Sequence, residues 1–150
     1  MTPEAASDRA GRDIFCQIAD GDLPAAEVAR TSELVAFLDH RPVFKGHVLI
    51  APIQHVDTLL DLPTALMTPL LTLAARVATA LGTGLGAQGT FVAMNNVVSQ
   101  SVPHLHLHVV PRTKGDGLRG FFWPRTRYAD EAEQADYAAR LRAVLSSSAS

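Results

Sequence analysis

The sequence has little of several residue types, and each shortage excludes a class of protein. A single cysteine, Cys16, among 150 residues excludes an internal disulfide and predicts a reducing, cytoplasmic compartment. No apolar run is long enough to span a bilayer, and the acidic N-terminus lacks a signal peptide's apolar segment, so we expect no membrane partner. Lysine and arginine total 13 against 15 acidic residues, which argues against a nucleic-acid partner.

The composition that remains is that of a globular domain. Hydrophobic residues make up 47 % and charged residues 19 % of the chain, which is enough apolar material for a substantial core. A length of 150 residues suits one domain. The small, polar residues 1–10 predict a flexible N-terminal tail.

Half of the chain's six histidines stand at alternate positions in one short stretch. His104, His106 and His108 are separated by single leucines, and two valines follow. This alternation predicts a strand that carries the three imidazoles on one face and the leucines on the other. Pro103 and Pro111 are expected to bracket the strand.

Three imidazoles on one face allow three interpretations. In the first, they form a solvated or internally bonded polar face, which is the usual role of a lone histidine but is less expected for three in register. In the second, they hold a metal ion together with a carboxylate, since imidazole is a common ligand. In the third, they carry out phosphoryl chemistry, because neutral imidazole has a pKa near 6.5 and is nucleophilic at neutral pH. The neighbouring Gln100 and Ser101 supply neutral hydrogen-bond donors suited to phosphate oxygens.

Residues 100–112, which read Gln-Ser-Val-x-His-x-His-x-His-Val-Val-Pro-Arg, resemble the motif of the histidine triad (HIT) family of nucleotide hydrolases and transferases. Two upstream stretches also match the family in order and spacing. They are VAFLDHRP at residues 35–42 and GHVLIAPIQH at residues 46–55. The resemblance covers about two-thirds of the chain, and three matches in register make it specific.

The resemblance and the periodicities together predict an α+β fold. We expect a HIT-like antiparallel sheet of about five strands, at residues 23–30, 34–39, 47–52, 90–95 and 103–111. A long helix should pack on one face, beginning after Asp61 or at Pro69. The HIT domain would span residues 11–127, with a C-terminal helix at 128–146 appended to the same domain. The resemblance also implies a homodimer.

Asp130 and Glu133 form a predicted capping box for the C-terminal helix. Its predicted inward face consists of Tyr137, Ala138, Leu141, Val144 and Leu145.

The resemblance implies attack on the α-phosphorus of a purine nucleoside phosphoramidate or dinucleoside polyphosphate through a nucleotidyl-histidine. His106 would be the nucleophile and His108 would bind phosphate oxygens, while His104 and His47 would orient their neighbours. A non-catalytic purine-nucleotide-binding protein and a metalloenzyme that uses the strand histidines are the alternatives. The expected nucleotide-binding residues are Asp39 at the ribose, Phe15, Ile18, Phe37 and Leu49 at the base, and Asn95, Gln100 and Ser101 at the phosphates.

The chain departs from the commoner family pattern at two places. The link between Asn95 and Gln100 is shorter, with Val98 and Ser99 in place of glycine, which predicts a tight loop. The segment 112–127 holds five of the chain's 13 basic residues, together with Trp123-Pro124. It is interpreted as a solvated loop, a phosphate clamp or a contact with a partner subunit.

The predicted chemistry requires no cofactor. Many bacterial relatives carry a Cys-x-x-Cys pair that binds zinc together with two histidines. Here Asp13 stands at the first cysteine position, and Cys16, His55 and His104 remain. Four such mixed ligands suit zinc. We nevertheless favour a buried thiol and a surface histidine, and therefore predict no metal.

Overall fold

The computed structural model describes residues 12–119 and 125–147. The predicted tail at 1–10 and the Trp123-Pro124 pair lie outside the described residues. The chain divides into two compact units, residues 1–116 and 117–150, and each unit is described by itself. The predicted HIT-domain boundary at residue 127 stays a prediction.

The first unit is an antiparallel sheet with helices, which confirms the predicted α+β fold. Its five strands lie in the order β1-β2-β3-β5-β4, and every neighbouring pair is antiparallel. The elements in chain order are α1 (Ile14–Ala19), β1 (Glu27–Arg30), β2 (Leu34–Leu38), β3 (Val48–Pro52), a 3₁₀ turn (Leu59–Asp61), α2 (Thr64–Leu85), β4 (Gly89–Ala93) and β5 (Leu107–Arg112).

The two faces of the sheet are buried by different helices. Side chains alternate along a strand, so β2 sends Leu34 and Ala36 toward α2 while Val35 and Phe37 pack with α1. Burial of each large apolar side chain stabilises the fold by about 1.5–3 kcal/mol. The α2 side chains in this core are Leu66, Leu70, Leu73, Ala74, Val77 and Leu81.

The long helix α2 begins at Thr64, with Pro63 as its N-cap, so it starts after Asp61 as one prediction has it, but Asp61 is not its cap and Pro69 is not its start. Asp61 belongs to the preceding 3₁₀ turn, where it forms a capping box with Thr58. Pro69 lies inside the helix, where its ring removes one backbone hydrogen bond. Among the described residues, α2 is also the one helix whose length and apolar composition would allow it to cross a membrane. A helix that packs on the core of a sheet meets the same criteria.

The histidine-bearing strand β5 begins later than predicted. His104 and His106 precede it, since the His104 N–H bonds to the Val102 carbonyl in a turn. Pro111 lies within β5 rather than after it. Beyond Val109 the strand pairs only with β4, so a proline without an N–H is tolerated there.

The second unit contains one helix in its described part, α3 (Glu131–Ser147). Asp130 accepts from the Glu133 N–H at 2.8 Å, while Glu133 accepts from the Ala129 N–H at 2.9 Å, so the two side chains cap the helix much as predicted. The predicted inward face was wrong, because α3 buries none of its described residues. The physical reason is that the described part of this unit offers no second element for packing. The affected residues are Tyr137, Ala138, Leu141, Val144 and Leu145.

Candidate active site

A cavity of about 650 Å³ opens on the α1 side of the sheet. One part of its wall is apolar, and the other carries the polar and titratable side chains. β1 begins at Glu27 and not at residue 23 as predicted. The four residues before it, 23–26, line this cavity. The apolar wall includes Ile14, Phe15, Ile18, Phe37 and Leu49, and the polar wall consists of Asp39, His40, Ser101, His106 and His108.

His106 is buried and is held by a backbone carbonyl. Its Nδ1 lies 2.7 Å from the His104 carbonyl oxygen, and because a carbonyl can only accept, Nδ1 carries the proton. The remaining nitrogen, Nε2, therefore has a free lone pair. Burial lowers the pKa of His106, and this outweighs the opposing effect of the carbonyl. The ring is consequently a neutral nucleophile at neutral pH.

A chain of hydrogen bonds fixes the tautomer of His108. The Val43 N–H donates to His47 Nδ1 at 3.2 Å, so neutral His47 carries its proton on Nε2. That proton is donated to His108 Nδ1 at 2.9 Å, which leaves the His108 proton on its own Nε2. Burial, together with His106 and His47, lowers the pKa of His108 to about 4. His108 is thus a neutral hydrogen-bond donor, with its ring centroid 5.0 Å from that of His106.

Asp39 lies in the cavity wall at the end of β2 and serves two purposes. Its Oδ1 accepts from the Arg41 N–H at 2.9 Å, which is the usual role of an aspartate in a turn. Its Oδ2 lies 3.7 Å from His47 Nδ1. The carboxylate, with four lone-pair sites, retains the capacity to accept further hydrogen bonds from a ligand.

The His104 ring lies outside the cavity lining, although its carbonyl orients His106. Its Nε2 donates to the Pro52 carbonyl at 2.7 Å, so the lone pair of the neutral ring is on Nδ1. That nitrogen faces Asp13 Oδ2 at 3.2 Å and Cys16 Sγ at 3.5 Å. His104 is expected to orient its neighbours, and in the structure it contacts His106 Nδ1 through its backbone carbonyl.

Three side chains converge on the His104 ring, and we call the four residues together the Asp13 cluster (Asp13, Cys16, His55 and His104). His55 Nδ1 lies 2.9 Å from Asp13 Oδ2 and 3.4 Å from Cys16 Sγ. His55 Nε2 bonds to Asp57 Oδ1 at 2.5 Å, so both ring nitrogens of His55 face carboxylate oxygens.

The Asp13 cluster is rich in atoms that can ligate a metal ion. Burial acts to raise the pKa of Asp13, but the N–H groups of Cys16 and Phe15 and the positive charge of the two histidines when protonated outweigh it, so the pKa is lowered. Burial and the Asp13 charge raise the pKa of Cys16. The cluster joins one carboxylate, one thiol and two imidazole nitrogens, all of which are zinc ligands in proteins. Zinc bonds of about 2.0–2.3 Å separate tetrahedral ligands by about 3.3–3.6 Å, which the donor distances in the cluster approach.

The loop at residues 95–101 is tight, as predicted. Val97 and Ser99 adopt left-handed backbone angles, with φ of 70° and 62°. The Asn95 side chain donates to the Ser99 carbonyl at 3.2 Å. The Gln100 side chain bonds to the backbone of Val97 within the loop and to that of Asp57 outside it. Of the three side chains expected at the phosphates, Ser101 alone is among those that line the cavity.

Sequence reasoning missed three contributors to the site. His40 lines the cavity but is not among the site residues that the sequence predicts. Val43 acts through its N–H, which no side-chain pattern reveals. Asp57 orients His55 and was passed over, although an acidic residue two positions from a candidate ligand histidine is a usable signal.

Comparison with known proteins agrees with this geometry. The family model described as the HIT domain matches residues 20–115. The chain is 34 % identical over 113 residues to the adenosine 5'-monophosphoramidase of Schizosaccharomyces pombe, with 74 % of this chain and 82 % of the yeast protein covered.

Solved structures show the same fold. A histidine triad nucleotide-binding protein from Candida albicans superposes with a TM-score of 0.78 at 26 % identity, covering 89 % of this chain and 97 % of that one. A zinc-bound histidine triad family protein from Mycobacterium smegmatis gives a TM-score of 0.69 at 33 % identity, covering 90 % and 99 %. His106 and His108 line the same cavity, and both the family model and the yeast relative match most of the chain. The chain therefore belongs to the HIT family.

Proposed function

We propose that the protein hydrolyses purine nucleoside phosphoramidates, and by the same chemistry dinucleoside polyphosphates, through a nucleotidyl group on His106. One observation carries the proposal: His106, with a lone pair on Nε2, and His108, with a proton on Nε2, line the same cavity with their ring centroids 5.0 Å apart. A nucleophile next to a neutral donor is what attack on an anionic phosphorus centre requires.

In the first step, His106 Nε2 attacks the α-phosphorus and forms a phosphorus–nitrogen bond. The bond between phosphorus and the leaving amine breaks, and the amine takes a proton from water as it departs. His108 Nε2–H donates to a non-bridging oxygen, which stabilises charge at phosphorus. His108 keeps its proton throughout, because His47 holds its other nitrogen as an acceptor.

In the second step, water attacks phosphorus from the side that the amine has left. The bond to His106 breaks and returns its electron pair to Nε2, while the water proton passes to solvent. The nucleoside monophosphate is released, and His106 is again neutral because burial lowers its pKa. The nucleophile is therefore regenerated without a separate deprotonation.

The cavity supports a flat purine base. The wall beyond Asp39 is apolar, with Phe15 and Phe37 rings packed edge to face at 5.5 Å between centroids. Such a surface favours a poorly solvated aromatic ring. The Asp39 carboxylate at the boundary of the two walls suits a ribose diol, whose two hydroxyls are donors.

The sequence favours an unoccupied Asp13 cluster, whereas two observations support zinc there: the convergence of four side chains that are common zinc ligands, and the distances between their ligand atoms. The zinc-bound relative from Mycobacterium smegmatis adds to that support. Zinc would be held by Asp13, Cys16, His55 and His104, and would neutralise the carboxylate and fix the segment that presents the His104 carbonyl. Metal analysis of purified protein tests this: stoichiometric zinc that is lost in Cys16→Ser supports the site, and metal-free wild type contradicts it.

The test of the function is turnover of adenosine 5'-phosphoramidate by wild type and by His106→Ala. We expect turnover to vanish in the variant while AMP binding, measured by calorimetry, persists. Thr79→Ala, which alters an exposed side chain on α2, on the other face of the sheet, is the control.

Nucleotide binding without turnover in wild type would indicate the non-catalytic alternative. Activity that a chelator abolishes and His106→Ala retains would indicate a metalloenzyme. Sedimentation would test the homodimer that the resemblance implies.

A further inference from the structure

Gln100 connects the 95–101 loop to a distant part of the chain. Its Oε1 accepts from the Val97 N–H at 3.0 Å, which closes the loop on itself. Its Nε2 donates to the Asp57 carbonyl oxygen at 2.5 Å, across 43 positions of sequence. Both polar ends of the side chain are therefore bonded to backbone, although its position in the motif suggests a phosphate ligand.

The backbone that Gln100 holds is unfavourable for the residues present. Val97 is β-branched and Ser99 is not glycine, yet both adopt left-handed angles, which such residues rarely do without support. The next residue, Ser101, lines the cavity. Ser101 therefore follows a backbone conformation that needs stabilising hydrogen bonds. The side chain of the adjacent Gln100 supplies two of them, to the backbone of Val97 and of Asp57.

We propose that Gln100 is a positioning residue, which sets the Ser101 hydroxyl against the substrate phosphate and makes no contact with the phosphate itself. This inference rests on the proposed function. Asp57, whose carbonyl accepts from Gln100, also contacts the Asp13 cluster. Its carboxylate bonds His55 Nε2 at 2.5 Å, so Gln100 connects the loop to the residue that orients His55.

The experiment is a double-mutant cycle with Gln100→Ala, Ser101→Ala and the double variant. Two quantities are measured for each: kcat/KM with adenosine 5'-phosphoramidate, and the Kd of AMP. We expect Gln100→Ala to lower kcat/KM by about tenfold in wild type, which is typical of losing one hydrogen bond to a charged group. In the Ser101→Ala background it should cost less than about twofold, because the group it positions is gone.

Two further variants separate positioning from folding. Gln100→Glu keeps an acceptor for the Val97 N–H but sets a carboxylate against the Asp57 carbonyl, so it should resemble Gln100→Ala in kcat/KM. Gln88→Ala removes a similar tether, since Gln88 accepts from the Lys114 N–H at 2.6 Å far along the chain. It should leave kcat/KM unchanged even if the melting temperature falls.

Equal losses from Gln100→Ala in the two backgrounds, or no loss in wild type, would overturn the proposal. A failure of the proposed function looks different, because His106→Ala would then turn over like wild type. The AMP measurements remain informative in that case, because a double-mutant cycle on the Kd of AMP does not depend on turnover. Independent effects of Gln100 and Ser101 on AMP affinity would overturn the positioning role by itself.

Discussion

The buried histidine His108 should make folding stability fall steeply in mild acid. The unfolded chain takes up a proton on this residue near pH 6.5, whereas the native state resists protonation until about pH 4. Between these values the unfolded state binds more protons. Stability is therefore retained above pH 6.5 and lost as the pH falls through the window.

The magnitude of the loss follows from the two pKa values. With 6.5 for the unfolded chain and about 4 for the native state, lowering the pH from about 7.5 to about 5 costs about 2 kcal/mol through His108 alone. This is a large share of the total stability of a small domain, which is about 5–15 kcal/mol. His47 and His106, whose pKa values burial also lowers, add to the loss in the same direction.

Urea unfolding at the two pH values measures this effect in wild type and in His108→Asn. Asparagine does not titrate, and its Oδ1 can still accept from His47 Nε2–H. Wild type should lose about 2 kcal/mol more than the variant on acidification. His40→Asn, which changes an exposed histidine, should behave like wild type. Equal losses in wild type and His108→Asn would refute the argument that burial holds His108 neutral.

Substitutions at two other positions, Gly46 and His47, test local geometry. Replacing Gly46 by alanine should destabilise the fold by about 1–3 kcal/mol in the same urea assay. The residue has φ of 103°, and although the exposed Leu85 can move away from a new Cβ, the backbone strain stays. A stability unchanged from wild type would contradict this. His47→Leu should lower kcat about tenfold or more by freeing the His108 tautomer, while His47→Gln, which keeps an N–H donor, should retain more activity. Equal activity of the two variants would contradict the tautomer assignment.

The sequence predicted those parts of the fold that depend on local periodicity. Alternation alone places His106 and His108 on the face opposite Leu107, and the structure has them in one cavity wall. The number of strands, their antiparallel pairing and the packing of the long helix on one face also agree with expectation. These features were accessible because the side-chain period of a strand or a helix is fixed by its geometry.

Features that depend on distant partners were not accessible. The start of β5 is set by a turn at Val102 and by the bond from the Leu105 N–H to the Val56 carbonyl. The apolar positions of α3 indicated a buried face, but periodicity cannot show whether another element is present to cover it. The tautomer of His108 depends on the Val43 N–H, which only the closed loop brings to His47.

The stereochemical course at phosphorus tests the covalent route most directly. A substrate with a chiral α-phosphorothioate is hydrolysed in isotopically labelled water, and the configuration of the product is determined. Two successive in-line displacements, first by His106 and then by water, predict overall retention. Inversion would mean that water attacks the substrate directly, and it would contradict a nucleotidyl-histidine.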